Sequence, residues 1–232
     1  MSSTQISAQK RILIIASGNT GKIREFRQLL AHLPLSVQPQ PECLEVEETG
    51  LTFAENARIK ATAVASETNQ WALADDSGLS VNALNGAPGV HSARFADSDE
   101  ARIARLLLEL EKAKTADRSA QFTAALAVAD PSGSIRLEVE GSCSGMILKT
   151  PRGKGGFGYD PVFYVPEVSQ TFAEMEKAIK DRLGHRGRAF NALEPRLSQL
   201  LADPSQSIGK GGYSALTAYT AKGQKDLNLE SG

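Results

Sequence analysis

Residues Arg11 to Ala16, RILIIA, form a short unbroken apolar run that stops abruptly at Ser17-Gly18-Asn19. A run of this length suits a buried strand better than an isolated helix. Beyond Gly21, the apolar residues Ile23, Phe26, Leu29, Leu30 and Leu33 recur at steps of three and four, which marks one face of a helix that Pro34 would end. Strand, polar glycine loop and helix therefore follow one another, and the chain reads as α/β.

The rest of the chain repeats these signals. Thr52-Phe53-Ala54-Glu55 has the form of a capping box and introduces the alanine-rich stretch Ala54 to Ala65, a good helix former. Thr171-Phe172-Ala173-Glu174 is a second such box and predicts another helix start. Ile103, Leu106, Leu107 and Leu110 make one more helical stripe, and Phe190, Leu193, Leu197, Leu200 and Leu201 another. Phe122, Ala124, Leu126 and Val128 alternate, as do Ile135, Leu137 and Val139, and Asp130-Pro131-Ser132-Gly133 between them predicts a β-hairpin in a mixed sheet.

At 232 residues with 41% hydrophobic content, the chain can bury one large core or two lobes sharing a sheet. Its 26 basic and 27 acidic residues leave a formal net charge of -1, so the bulk attraction exploited by long nucleic acids or anionic membranes is missing. A phosphate site must be local. No apolar run is long enough to span a bilayer and the opening MSSTQISAQK is polar, so a cytoplasmic protein is expected. Cys43 and Cys143 lack CxxC spacing, and His32, His91 and His185 are scattered, which points away from a zinc site or a disulfide framework. Residues 1–10 are expected to be a flexible N-terminus, 11–202 the folded domain, and 203–232, rich in Ser, Gly, Lys and Gln, a disordered tail.

Four constellations could carry chemistry. Ser17-Gly18-Asn19-Thr20-Gly21-Lys22 follows a strand and opens a helix, where free amides and the helix dipole favour anions and Lys22 adds a full charge. It lacks Walker A spacing, and a tight βα turn with a solvated lysine is the plainer alternative. Asp75 and Asp76, after the strand-like Trp71-Ala72-Leu73, are two carboxylates at a strand end that repel unless a cation relieves them. Asp-Asp-Ser-Gly fits an ordinary turn equally well.

Gly153-Lys154-Gly155-Gly156-Phe157-Gly158-Tyr159-Asp160 mixes bare backbone, a cation, aromatic rings and a carboxylate, which suits a nucleobase; a glycine-rich surface loop is the alternative. Lys180 and His185-Arg186-Gly187-Arg188 cluster cations near a helix N-terminus against its dipole, so an anionic or carbonyl-bearing ligand would explain them. Glu47-Glu48 fits a solvated charge pair or metal ligation.

The blocks SGNTGKIREF, EETGLTFAENARIKA, ADDSGLSVNALNGAPGVHSARFA, GGFGYDPVFYVP and HRGRAFNAL run in order from residue 17 to about residue 200. In this the chain resembles the inosine-triphosphatase-like family of noncanonical purine nucleoside triphosphate pyrophosphatases, the XTP/dITP diphosphatases. The resemblance implies an elongated α/β fold with a long central mixed sheet flanked by helices, two lobes and an active-site cleft between them, and a homodimer. It also implies conversion of ITP, dITP or XTP to the monophosphate and pyrophosphate with Mg2+ as cofactor; the balanced charge and lack of a spanning run already set aside nucleic acid and membrane as partners. Residues Ser17, Gly18, Asn19, Thr20, Gly21 and Lys22 match the triphosphate-binding segment. Asp76 matches the catalytic base and metal residue, Ser77 a substrate contact, and Glu47 a metal ligand, with Glu48 its rival in register.

Phe157, Gly158, Tyr159, Asp160, Lys180, His185 and Arg186 match base- and substrate-binding positions. Gly184 departs from the serine common before the His-Arg pair. Two rival readings remain from the sequence: a pyrophosphatase for modified pyrimidine triphosphates, and a nucleotide-binding sensor that hydrolyses nothing.

Overall fold

In the computed structural model, which describes residues 10–203, strand β1 (Arg11–Ile15) pairs in parallel with β2 (Leu35–Pro39) on one side and β3 (Trp71–Val81) on the other. Antiparallel pairing then extends the sheet through β4 (Ser119–Ala129), β5 (Ile135–Ile147), β6 (Phe163–Val165) and β7 (Gln170–Thr171). The spatial order is β2-β1-β3-β4-β5-β6-β7, an open mixed sheet. The expected flexible N-terminus and disordered tail lie, but for Lys10 and Asp203, outside the described residues.

Helices cover both faces, and side-chain alternation along the strands assigns each residue to one of them. Leu13, Ile15, Leu73, Leu126 and Val128 pack against α1 (Thr20–Leu29) and α5 (His185–Ala202), where Phe26, Phe190 and Leu193 fill the layer. Burying a side chain such as Phe26 contributes about 1.5–3 kcal/mol. Ile14, Ala72, Ala74, Ala125 and Ala127 face the opposite way, onto Ala57, Ala61, Val64 and Ala65 of α2 (Phe53–Thr68). Alanine on both sides lets this helix lie close to the sheet.

The far ends of β3, β4 and β5 build a second core with α3 (Asp99–Lys112), in which Leu79, Phe122, Ile147 and Phe163 meet Leu106 and Leu110. Two lobes thus share three long strands.

Three local expectations change. Asp75 and Asp76 are not at a strand end or in a turn but in the middle of β3, each paired across to β4 opposite Leu126 and Ala125. A continuous ladder of ten residue pairs with β4 outweighs the turn preference of Asp-Ser-Gly. The Thr52 capping box forms as expected, but the Thr171 box opens no helix. Glu174 does reach back to the Thr171 amide at 2.8 Å, yet the Thr171 hydroxyl donates to the Arg152 carbonyl, and the Phe172 amide is taken by the Phe163 carbonyl. The next helix, α4 (Lys177–Leu183), starts only after this turn. Finally, α1 stops at Leu29, short of Pro34.

Candidate active site

Because β1 is short, it pairs with β3 only as far as Leu73. From Ala74 to Leu79 no strand among the described residues covers that edge of β3. The gap lies beside the C-terminal end of β1, where parallel strands of α/β sheets commonly present ligands. Further along, the buried Ser92 hydroxyl takes the place of a strand by accepting from the Leu79 amide at 2.9 Å. The open edge is therefore bounded at both ends.

Asp75 and Asp76 project to opposite faces at this edge. On the α1/α5 face, Asp75 Oδ2 meets Lys22 Nζ at 2.9 Å and Arg186 Nε at 3.1 Å, and accepts from the Ser77 hydroxyl at 3.2 Å. Arg186 also donates to Ser77 Oγ at 2.8 Å and to Glu25 at 3.3 Å. Burial alone would raise the Asp75 carboxyl, but Lys22 and Arg186 overcome it and hold the group well below the usual carboxylate range.

On the α2 face, Lys60 Nζ bridges Asp76 Oδ1 at 2.9 Å and Glu48 Oε1 at 2.7 Å. Arg94 takes the other Glu48 oxygen at 2.6 Å. Burial raises the Asp76 carboxyl above its ordinary value even though Lys60 pulls the other way. Lys22 and Lys60 reach around from the two faces to the same backbone carbonyl, that of Asp75, at 3.4 and 3.0 Å. Three cations thus converge on one open edge.

The loop Ser17–Lys22 lies beside them. Asn19 caps α1 by accepting from the Lys22 amide at 3.1 Å, and the Ser17 hydroxyl accepts from the Asn19 amide at 3.1 Å. The first turn of α1 carries no acidic residue, so nothing on it competes with an incoming anion. Gly18, Asn19 and Thr20 are exposed.

The glycine loop comes in from the other lobe. Phe157 is part exposed, with its ring 5.5 Å from Lys180 Nζ and 5.3 Å from the Arg186 guanidinium. Asp160 is buried and accepts from both the Phe157 amide at 2.9 Å and Lys180 at 2.5 Å. Tyr159, by contrast, points into the core, where burial pushes its hydroxyl up to about 12 and the Ser92 carbonyl accepts it at 3.0 Å. It anchors the loop.

His185 is buried, stacked on Phe122 at 4.7 Å between ring centres and flanked by Phe172 at 5.9 Å. Burial, helped by Arg186, lowers its pKa well below 6.5, so the imidazole is neutral near pH 7.

The two glutamates before α2 part company. Both Glu48 oxygens are engaged by cations, whereas Glu47 is exposed and has no polar partner among the described residues. Gly184 is the N-cap of α5 and leaves it without a side-chain cap. A Cβ there would sit 2.6 Å from the Lys180 carbonyl, so glycine relieves a close approach in return for a few tenths of a kcal/mol of capping, roughly.

Sequence reasoning overlooked Lys60, Glu25, Arg94 and Asp99. A signal existed for Lys60: it falls four residues after Asn56 and four before Val64, on the buried face of α2, where a lysine needs a partner. The others carry no such mark, because the partners that tie them to the site, Arg186 for Glu25, Glu48 for Arg94 and Gly158 for Asp99, lie far along the chain.

No three His, Cys, Asp or Glu side chains among the described residues cluster tightly enough to cage a metal. The donor set nonetheless fits a hard cation held partly by substrate. Asp76 Oδ2 is buried without a hydrogen-bond partner among the described residues, and Mg2+ ordinarily takes one or two carboxylates with phosphate oxygens and water.

A model of the Ham1 family matches residues 13–196. A dITP/XTP pyrophosphatase of Parasynechococcus marenigrum is 63% identical over 192 residues, 83% of this chain and 97% of that relative. One from a Nostoc strain is 52% identical over 196 residues, 84% of this chain and 99% of its own. Among solved structures, a HAM1 protein from Coxiella burnetii aligns with a TM-score of 0.76 at 43% identity, covering 82% of this chain and 99% of its own. The Ham1 protein of Staphylococcus aureus aligns at 0.73 and 42%, with the same coverage. Matched by the family model over residues 13–196 and at least 52% identical to these two pyrophosphatases across nearly their full length, the chain belongs to the Ham1 family.

Proposed function

We propose that this protein hydrolyses the noncanonical purine nucleoside triphosphates dITP, XTP and ITP to the monophosphate and pyrophosphate, with Mg2+ as its cofactor. The observation that carries the reading is the open edge of β3, where Lys22 and Arg186 hold buried Asp75 on one face and Lys60 holds Asp76 on the other, with Asp76 Oδ2 unpartnered among the described residues. Three cations and a capped, acid-free helix start suit a triphosphate far better than a neutral ligand.

In this reading Ser17 and Asn19 shape the loop through their own bonds to its amides, and the Gly18, Thr20 and Gly21 amides with the Lys22 ammonium hold the phosphates. Asp76 would hold the metal together with Glu47, whose carboxylate has no polar partner among the described residues, while Glu48 keeps Lys60 and Arg94 in place. When bound there, Mg2+ would supply charge neutralisation for the phosphates and make a nearby water more acidic. Asp76 Oδ2 faces no other donor and can accept a proton from, or align, the attacking water; a carboxyl raised by burial is the better base for it. Ser77 is held by Arg186 beside the same edge, as a substrate contact.

The base stacks on Phe157. The Phe157 and Gly158 amides are already bound to Asp160 and Asp99, so Lys180, Arg186 and neutral His185 are the donors left for a 6-oxo group. A 6-amino purine would set donor against donor, and each such buried mismatch costs about 1–3 kcal/mol.

The resemblance further supports a homodimer acting in the cytoplasm to keep such nucleotides out of DNA and RNA. No helix among the described residues is long and apolar enough to cross a membrane.

The test is pyrophosphate release from dITP, XTP, ITP, dATP, dGTP and dUTP, with Mg2+ and with EDTA. Preference for the 6-oxo purines that lack a 2-amino group, abolished by EDTA without a change in melting temperature, is the expected result. An Asp76→Asn protein that folds yet turns over dITP at near the wild-type rate would remove Asp76 from the mechanism.

A further inference from the structure

Phe157 and Gly158 belong to a stretch with glycine at 153, 155, 156 and 158, which left to itself samples many conformations. Two of its ties lie close by: the Phe157 amide is held by Asp160 in the same loop, and Tyr159 is rooted in the core. A third comes from elsewhere. Gly158, at φ +62°, directs its amide at Asp99 Oδ2, 2.6 Å away and 59 residues earlier in the chain.

Asp99 is itself fixed. It is the first residue of α3, directly after the N-cap Ser98, whose hydroxyl accepts from the Ala101 amide at 3.1 Å. Its other oxygen meets Arg102 at 2.6 Å, and the Arg102 Nε donates to the Ala96 carbonyl at 3.0 Å. The carboxylate thus has one oxygen for α3 and one for the loop.

We propose that Asp99 is a positioning residue for base recognition: by holding the Gly158 amide it sets the Phe157 ring against Lys180 and Arg186, and so defines the purine slot. This rests on the function proposed above. Asp99 touches neither phosphate loop nor metal carboxylate, so its influence is confined to the base end. Without it the Gly158 amide loses a charged acceptor and the ring loses its fixed pose, while Lys22, Lys60 and Asp76 keep theirs.

The experiment compares the full-length wild type with Asp99→Ala and Asp99→Asn, measuring kcat and KM for dITP and dATP and melting temperature. In Asp99→Ala, KM for dITP rises roughly tenfold, the effect of one hydrogen bond to a charged acceptor, and the dITP-to-dATP preference in kcat/KM falls by about as much while kcat stays within about threefold. Asp99→Asn, whose amide oxygen can still accept from Gly158, restores most of the preference. A wild type that prefers dITP beside an Asp99→Ala that keeps that preference overturns this proposal alone. So does an equal loss on both substrates that tracks a lower melting temperature. A wild type indifferent to the base overturns the functional reading and this proposal with it.

Discussion

Replacing Asp75 with asparagine removes the anion from a cluster in which it is 1% exposed and meets two cations, Lys22 at 2.9 Å and Arg186 at 3.1 Å. Removing one partner of a buried ion pair costs about 3–5 kcal/mol, because the remaining charge is left uncompensated. At roughly 2–4 °C per kcal/mol for a chain of this size, Asp75→Asn should melt about 6–20 °C below the wild type. Asp76→Asn, one residue away, should behave differently. Its ionised form is disfavoured by burial, and the amide oxygen can still accept from Lys60, so the change should cost under about 1 kcal/mol.

The pH dependence carries opposite signs. The depressed Asp75 group contributes stability that is present above the ordinary value of 3.8 and is lost as pH falls through its folded-state value. The raised Asp76 group stabilises the protein most below 3.8, and that contribution disappears as pH rises through its folded-state value. Thermal melts at pH 7, run with pyrophosphate release, decide the matter: both variants should lose turnover, but only Asp75→Asn should lose much stability. Equal melting temperatures for the two, or an Asp75→Asn protein within about 3 °C of wild type, would refute the division of roles between the faces.

Two further outcomes follow from the packing and the buried imidazole. Gly141→Ala should destabilise the protein by at least about 1–3 kcal/mol in urea unfolding, because its Cβ would lie 2.2 Å from the Ala189 amide nitrogen and 2.4 Å from the His185 carbonyl, both backbone atoms of α5. His185, with a folded-state pKa well below 6.5, binds its proton more readily when unfolded, so stability should fall as pH drops below about 6.5, by up to roughly 1.4 kcal/mol per pH unit; His185→Gln should flatten that slope in melts between pH 7.5 and 5.5.

Much of this molecule can be read one segment at a time. The β1 run, the Thr52 capping box, the α3 and α5 stripes and the β4/β5 hairpin depend on periodicity and on hydrogen bonds a few residues apart, so the local chain carries the information. The Thr171 box misled for the complementary reason. Its two halves are local, but the Arg152 and Phe163 carbonyls that claim its hydroxyl and a neighbouring amide come from 19 and 9 residues away.

The site divides in the same way. The sequence by itself determined which chemical groups are present, and the order of its blocks determined the family. Only the tertiary structure decided that β1 ends three residues into its pairing with β3, leaving the edge at which Lys22, Lys60 and Arg186 meet the two carboxylates. These contacts span 15 to 111 residues of chain, and charges act through space over a few ångströms, whatever their separation in sequence.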